Sequence, residues 1–243
     1  MNSPVPTELP FTLLAARDRC ARQGFLTAAH AGISLRLPGS SDFLFTDVQA
    51  SRPQLHSWRN PPGNHTPPLH RSPQTAPCEV QAPAHHALAL HATVYQLRPD
   101  VGAILTGGGL FSTSLHELGG TMPVAFDEQA RHLGRMGLGS RHGRPAPDTT
   151  TPQLKATFAN GTNTALIGDL PICLGTTCQR LVLNAELFEK CAKAYVLAAA
   201  TGQPVSSLPW WVCTIAIGRL RKDQRRAAER FAQGLLPQEA RGY

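Results

Sequence analysis

Residues 85–118 constrain this chain more than any other stretch. A helix-compatible run over 85–97 meets Arg98-Pro99-Asp100, an apolar run over 101–105 follows, and Gly107-Gly108-Gly109 then leads into a second helical run over 110–118. A residue before proline avoids the helical region, so the first helix ends at the Arg98-Pro99 step. Apolar residues in succession suit a strand buried on both faces. A helix, a buried strand and another helix in so short a span require layers of helices on a sheet.

The flanking sequence extends the pattern. Residues 11–22 read as an opening helix with Gly24 as its stop. Runs over 33–37 and 43–46, separated by Pro38-Gly39-Ser40-Ser41-Asp42, give a β-hairpin signal. From 51 to 83 prolines recur at 53, 61, 62, 67, 68, 73, 77 and 83, with histidines at 56, 65 and 70, which predicts a long irregular loop. Met122–Phe126 reads as a strand and 141–151 as a loop. Pro152 fits the first turn of a helix reaching about Ala159. Residues 165–167 and 172–174 read as strands. Asn184 is a candidate N-cap for a helix closed by Gly202. Strands and helices alternate without strict βαβ regularity, which places the chain in the α/β or α+β class.

Charge and cysteine exclude several function classes. At 243 residues, 42% hydrophobic and 16% charged, the chain buries one real core. It has no apolar run of the roughly 18 residues that a membrane span needs. The opening MNSPVPTELP lacks a basic n-region followed by an apolar stretch, so no secretion signal is expected. Six scattered cysteines without a CxxC pair suit reduced thiols and a cytoplasmic location. Of the net charge of +7, four units come from Arg219–Arg241, with seven basic and three acidic residues. Such a segment is commonly a solvated helix face. With Phe231 its only ring before the final Tyr243, nucleic acid ranks last among partners.

Three places invite chemistry. Thr106-Gly107-Gly108-Gly109 follows a strand and precedes a helix, where backbone N–H groups can meet an anion. It lacks the lysine of a P-loop, and a tight turn uses the same residues. His85, His86 and His91 share one helix, but spacings of five and six do not match the i, i+4 geometry of a zinc pair. Asp127-Glu128 with Arg131-His132 offers acid and imidazole on adjacent turns. An exposed ion-pair turn is the commoner use of that group. Asp169, between two apolar strands, reads as a turn residue unless it lines a cleft.

The segment 91–105, HATVYQLRPDVGAIL, resembles the central signature of the class II aldolase/adducin superfamily, a helix H-x-x-x-Y-x-x-R-P-D leading into the strand V-G-A-V-V. Residues 31–36 (AGISLR) resemble its G-N-I-S-x-R strand, 43–46 (FLFT) its F-L-I-T strand, 166–175 its late strand pair and 185–202 its closing helix. The resemblance spans about 11–203, between a tail over 1–10 and an apolar-then-basic segment over 204–243. It implies an αβα-layered domain with a central, mainly antiparallel β-sheet flanked by helices. It also implies a homo-oligomer, commonly a tetramer. Trp210 and Trp211, in the apolar stretch 208–217, suit a subunit contact or, equally, packing on the chain's own core.

The family's enzymes hold a divalent metal, usually zinc, with three histidines. The family's H-T-H falls here on Thr106, Gly107 and Gly108, its N-H-G on Gly168, Asp169 and Leu170, its glutamate on Ala87 and its G-N on Ala31-Gly32. The resemblance therefore implies no metal ligands, no cofactor and loss of the sugar-phosphate retro-aldol or epimerase reaction. One expectation is a non-catalytic or non-canonical member. A second is a metal-independent lyase, isomerase or cyclase acting on a small carbonyl or anionic molecule. Its candidates are His85, His86, Asp169 and Thr106, with Gly107, Gly108, Gly109 and Ser34 binding the ligand. A third is a lyase with a relocated metal site.

Overall fold

The computed structural model describes residues 8–28, 30–59, 82–139 and 151–238, with the backbone alone at 82–85. The chain runs α1 (Glu8–Arg22), β1 (Gly32–Arg36), β2 (Asp42–Thr46), β3 (Gln54–Ser57), α2 (Ala82–Leu97) and β4 (Ala103–Thr106). It continues as α3 (Leu110–Ser114), a 3-10 turn (Leu115–Leu118), a π-helical turn (Gln129–Leu133) and β5 (Gly137–Leu138). The last elements are α4 (Thr151–Phe158), β6 (Thr164–Ile167), β7 (Leu170–Gly175), α5 (Cys178–Ala199) and α6 (Trp210–Ala232). Of the expected loops over 51–83 and 141–151, residues 60–81 and 141–150 lie outside the described residues.

Among the described residues, seven strands form one sheet in the order β3-β2-β1-β4-β7-β6-β5. Every neighbouring pair is antiparallel except β5–β6. Side chains on a strand alternate between faces, and here both faces are buried. Phe43, Phe45, Ile104, Ile172 and Leu174 turn to one side with Tyr95 of α2 and Phe158 of α4. Leu44, Ala103, Leu105 and Cys173 turn to the other, against Leu9 and Leu13 of α1 and Leu181 of α5. Apolar neighbours on successive positions are thus explained by helices on each face.

Arg98 ends α2 and is itself buried. Its guanidinium donates through Nε and Nη2 to both carboxylate oxygens of Asp100 (2.8 and 2.7 Å), through Nη1 to the Thr162 carbonyl (2.6 Å) and again through Nη2 to Asn163 Oδ1 (3.2 Å). Asn163 Nδ2 donates to the His132 carbonyl (2.8 Å), and Gln224 of α6 donates to Asn163 Oδ1 (3.1 Å). The Arg-Pro-Asp motif thereby ties α2, the start of β6, the π-turn and α6 together.

Three sequence expectations need correction. Within the proline-rich stretch, 54–57 forms the edge strand β3 directly after Pro53, a place where a missing N–H costs no ladder bond. Met122–Phe126 is extended but joins no sheet. The side chain of Gln129 accepts from Ala125 N (3.0 Å) and donates to the Pro123 carbonyl (3.0 Å), and the Val124 carbonyl accepts from Leu208 N (2.7 Å). Asn184 does not cap α5. Thr177 does, its hydroxyl accepting from Arg180 N (3.0 Å), while Asn184 is buried inside the helix and donates to the Leu174 carbonyl (2.8 Å).

Removing the carboxylate from this buried arrangement leaves an uncompensated guanidinium. Asp100→Ala is expected to lose about 3–5 kcal/mol of unfolding free energy. Urea denaturation measures it, and a loss under about 1 kcal/mol would contradict the assignment.

Candidate functional site

The candidate site lies where β4 ends beside the start of β1 and the β6–β7 turn. Gly32 pairs with Thr106, and Thr106 with Ile172. Thr106 is fully buried, and its Oγ1 contacts the His30 and Gly32 carbonyls (3.2 and 3.3 Å). Gly107 has φ +125° and donates its N–H to the Pro171 carbonyl (2.8 Å). A Cβ at Gly107 would collide with the Phe25 carbonyl, and one at Gly108 would sit 2.8 Å from Pro171 Cγ. A Cβ at Gly109 would sit 2.5 Å from the Glu189 carboxyl carbon. That carboxylate accepts the first N–H groups of α3, from Phe111 (2.8 Å) and Ser112 (3.0 Å). The glycine turn is packed against Phe25, Pro171 and Glu189, and the donors at 111 and 112 already face an internal anion.

Behind Thr106 runs a buried polar chain. His91 Nε2 meets Thr106 Oγ1 (3.2 Å), His91 Nδ1 meets Ser34 Oγ (2.8 Å), and Ser34 Oγ meets Tyr95 OH (2.8 Å). A carbonyl only accepts, so the hydroxyl of Thr106 donates to His30 or Gly32. Nε2–H then donates to Thr106, Ser34 donates to Nδ1, and Tyr95 donates to Ser34. The reverse polarity would end on the Gly102 carbonyl at 3.5 Å, a longer contact than those at Thr106. This assigns the proton to Nε2.

Phe45 covers the His91 ring edge-to-face at 5.4 Å. Burial alone lowers the His91 pKa to about 3, and it pushes the Tyr95 phenol up. An unfolded histidine takes a proton near pH 6.5, whereas the folded one resists it, so stability present above that pH is lost as pH falls. His86 and His132 shift in the same direction. His91→Gln is expected to be destabilised at neutral pH. Its stability should then decline less steeply than the wild type's below about pH 6, by about 1.4 kcal/mol per pH unit. Denaturation series across that range measure the difference, and parallel curves would refute a neutral His91.

The other expected residues fall in different places. His86, half-buried on α2, sets its ring at right angles to that of His30 (centroids 5.9 Å), and its Nε2 is buried without a hydrogen-bond partner among the described residues. Burial first, then His30, lowers its pKa. His85 lies on α2, its side chain outside the described set. Asp169 is exposed on a two-residue hairpin loop with Gly168, whose φ is +66°. Ser34 is a buried link of the His91 chain. The arrangement brings Thr106, Ser34 and His91 together, and Asp169 is exposed on the β6–β7 turn at the same end of the sheet.

Zinc needs three or four ligands at about 2.0–2.3 Å. Thr106 carries a hydroxyl committed to backbone carbonyls, two glycines carry no donor atoms, and the space for their side chains is filled. These residues do not fit the zinc that enzymes of the resembled family hold. Among the described residues, no group of three or more His, Cys, Asp or Glu is placed to hold a metal.

At the other end of the sheet the acid–imidazole group disperses. Arg131 Nη2 pairs with Asp223 of α6 (2.5 Å), and Lys190 of α5 pairs with Glu128 (3.3 Å). Arg180 Nη1 donates to His132 Nδ1 (3.4 Å). Burial first, then Arg180 and Arg131, lowers the His132 pKa. Sequence periodicity missed the π-turn and the long-range partners Arg180, Glu189 and Asp223; the 127–132 group and the basic excess in α6 were the signals that pointed toward this end.

No family model matches the chain, and no curated protein matches it. Solved structures do match. YgbL from Escherichia coli, described as a candidate aldolase/epimerase/decarboxylase, superposes with a TM-score of 0.64 at 17% identity, covering 86% of this chain and 98% of its own. An aldolase II superfamily protein from Pseudomonas syringae gives 0.65 at 14% identity, covering 96% of each chain. L-fuculose 1-phosphate aldolase from Glaciozyma antarctica PI12 gives 0.63 at 14%, covering 98% of this chain and 96% of its own. Identities this low speak to architecture, and the architecture is clear: a seven-stranded sheet between helices in the fold of the class II aldolases.

Proposed function

We propose that this chain is a diverged class II aldolase/adducin-like protein that does not run zinc-dependent retro-aldol or epimerase chemistry and serves as a non-catalytic or non-canonical member. The observation that carries this reading is the packed end of β4. There Thr106, Gly107 and Gly108 offer no imidazole, and Phe25, Pro171 and Ser112 fill the space that side chains would need. Ala87, buried on α2, supplies no acid/base group at the position the resemblance gives to a glutamate. Because the Thr106–His91–Ser34–Tyr95 chain is buried and internally satisfied, it acts as scaffold.

A second reading keeps a reactive cleft. The buried, unpartnered Nε2 of His86 beside His30 supports it, since a neutral imidazole with a free ring nitrogen is a serviceable general base. On that reading His86 would move a proton on a small carbonyl or anionic molecule, without a metal.

Two measurements test the first reading. The full chain, incubated with zinc and desalted, is expected to retain less than about a tenth of an equivalent. It should also leave L-fuculose 1-phosphate uncleaved. Near-stoichiometric zinc with turnover would overturn it, while metal-free turnover abolished by His86→Ala would transfer the assignment to the second. A structural measurement is independent of both. Gly108→Ala is expected to cost about 1–3 kcal/mol, because the Pro171 ring cannot rotate away from the added methyl. A neutral effect in urea denaturation would show that a side chain is accommodated there.

A further inference from the structure

A groove opens between α5 and α6 at the end of the sheet remote from Thr106. Both helices pack on the π-turn. The cleft has a volume of about 800 Å³. Its walls are Leu183 and Leu187 of α5 and Trp211 and Ile215 of α6. Trp211 and Ile215 are each 55% exposed and Leu183 40%, which is unusual for large apolar side chains grouped on one surface.

The head of this groove is basic. Arg131 and Arg180 line it with His132, and the same three residues line an adjoining cleft of about 390 Å³ toward the end of α6. Arg219 stands on the α6 wall one turn beyond Ile215, and no ion pair engages it among the described residues. The acidic groups nearby are largely engaged. Asp223 holds Arg131 and lies 3.8 Å from Arg226, and Glu128 holds Lys190, leaving Asp127 exposed at the rim. A π-helical turn is rare and is often found at functional sites, and this one places Arg131 and His132 in succession at the groove.

We propose that this groove binds a small amphipathic carboxylate, its apolar body between Trp211, Ile215, Leu183 and Leu187 and its carboxylate on the guanidinium group of Arg219 beside Arg180. An apolar wall leading to planar, forked donors suits a carboxylate on a hydrocarbon or aryl body, and neither half of the groove suits a fully polar sugar. The proposal uses residues far from the β4 end, so it stands or falls apart from the functional reading above.

Calorimetric titration of the full chain with sodium octanoate tests it, with 1-octanol and sodium acetate as matched ligands lacking the charge or the chain. One octanoate site is expected, at least about tenfold tighter than either control. Arg219→Gln and Trp211→Ala alter exposed side chains and should leave the thermal midpoint unchanged. Each should weaken octanoate about three- to tenfold. Equal binding of octanol and octanoate, no heat with octanoate, or unaltered affinity in both variants would overturn the proposal. Sedimentation resolves one further outcome. If the wild type self-associates, Trp211→Ala is monomeric and octanoate gives no heat, the face is a subunit contact and the carboxylate site falls.

Discussion

A guanidinium taken out of water is the constraint on which the rest of this structure rests. Desolvating Arg98 costs several kcal/mol, which is recovered only if every donor finds an acceptor in good geometry. Asp100 supplies two oxygens, and the Thr162 carbonyl and Asn163 supply the others. Those acceptors belong to segments far apart in sequence, so satisfying one side chain fixes the end of α2 against the entry to β6. Asn163 passes the restraint on, to the π-turn through the His132 carbonyl and to α6 through Gln224. The strand that leaves Asp100, β4, is then held in the centre of the sheet with its far end delivered to the candidate site. Position at Thr106 is inherited from charge satisfaction at Arg98, eight residues earlier in the chain.

What the sequence exposed, and what it hid, follows from the range of the interactions. Pro99 acts on its neighbour, so the end of α2 is legible in the residues themselves. The run over 101–105 is apolar because both sheet faces are covered, and it reads as a strand without further knowledge. The β1–β2 hairpin is equally local, its turn residues lying between two apolar runs. Asn184 misleads because one amide serves two uses: capping a helix, or reaching a strand carbonyl from inside one. Only the position of Leu174 decides between them. The segment 122–126 misleads for a similar reason, since extended backbone can be satisfied by the side chain of Gln129 instead of a ladder. The π-turn has no residue signature. It follows from how α5 and α6 are docked.

The candidate site was half legible. Its residue identities at 87, 106, 107 and 108 are plain in the sequence, and they exclude a triad of imidazoles at those positions. That the space is also closed depends on Phe25, Pro171 and Glu189, which arrive from a loop, a strand start and the middle of α5. Glu189 is the least foreseeable, because a glutamate within an amphipathic helix reads as surface charge. Here its carboxylate accepts the first N–H groups of another helix and packs against Gly109, where a Cβ would push it aside.

The polar chain beneath that turn then has little freedom. A buried run of hydroxyls and one imidazole must choose a single direction for its protons, because a reversed link would set two donors or two acceptors face to face. The backbone carbonyls of His30 and Gly32 anchor one end as pure acceptors, so polarity propagates from Thr106 through His91 and Ser34 to Tyr95. A second proton on His91 would place N–H against the lone proton of Ser34 and a charge within an apolar enclosure roofed by Phe45. Neutrality at His91 is therefore demanded twice, by desolvation and by hydrogen-bond parity. An imidazole held in that way orients its neighbours well and exchanges protons poorly.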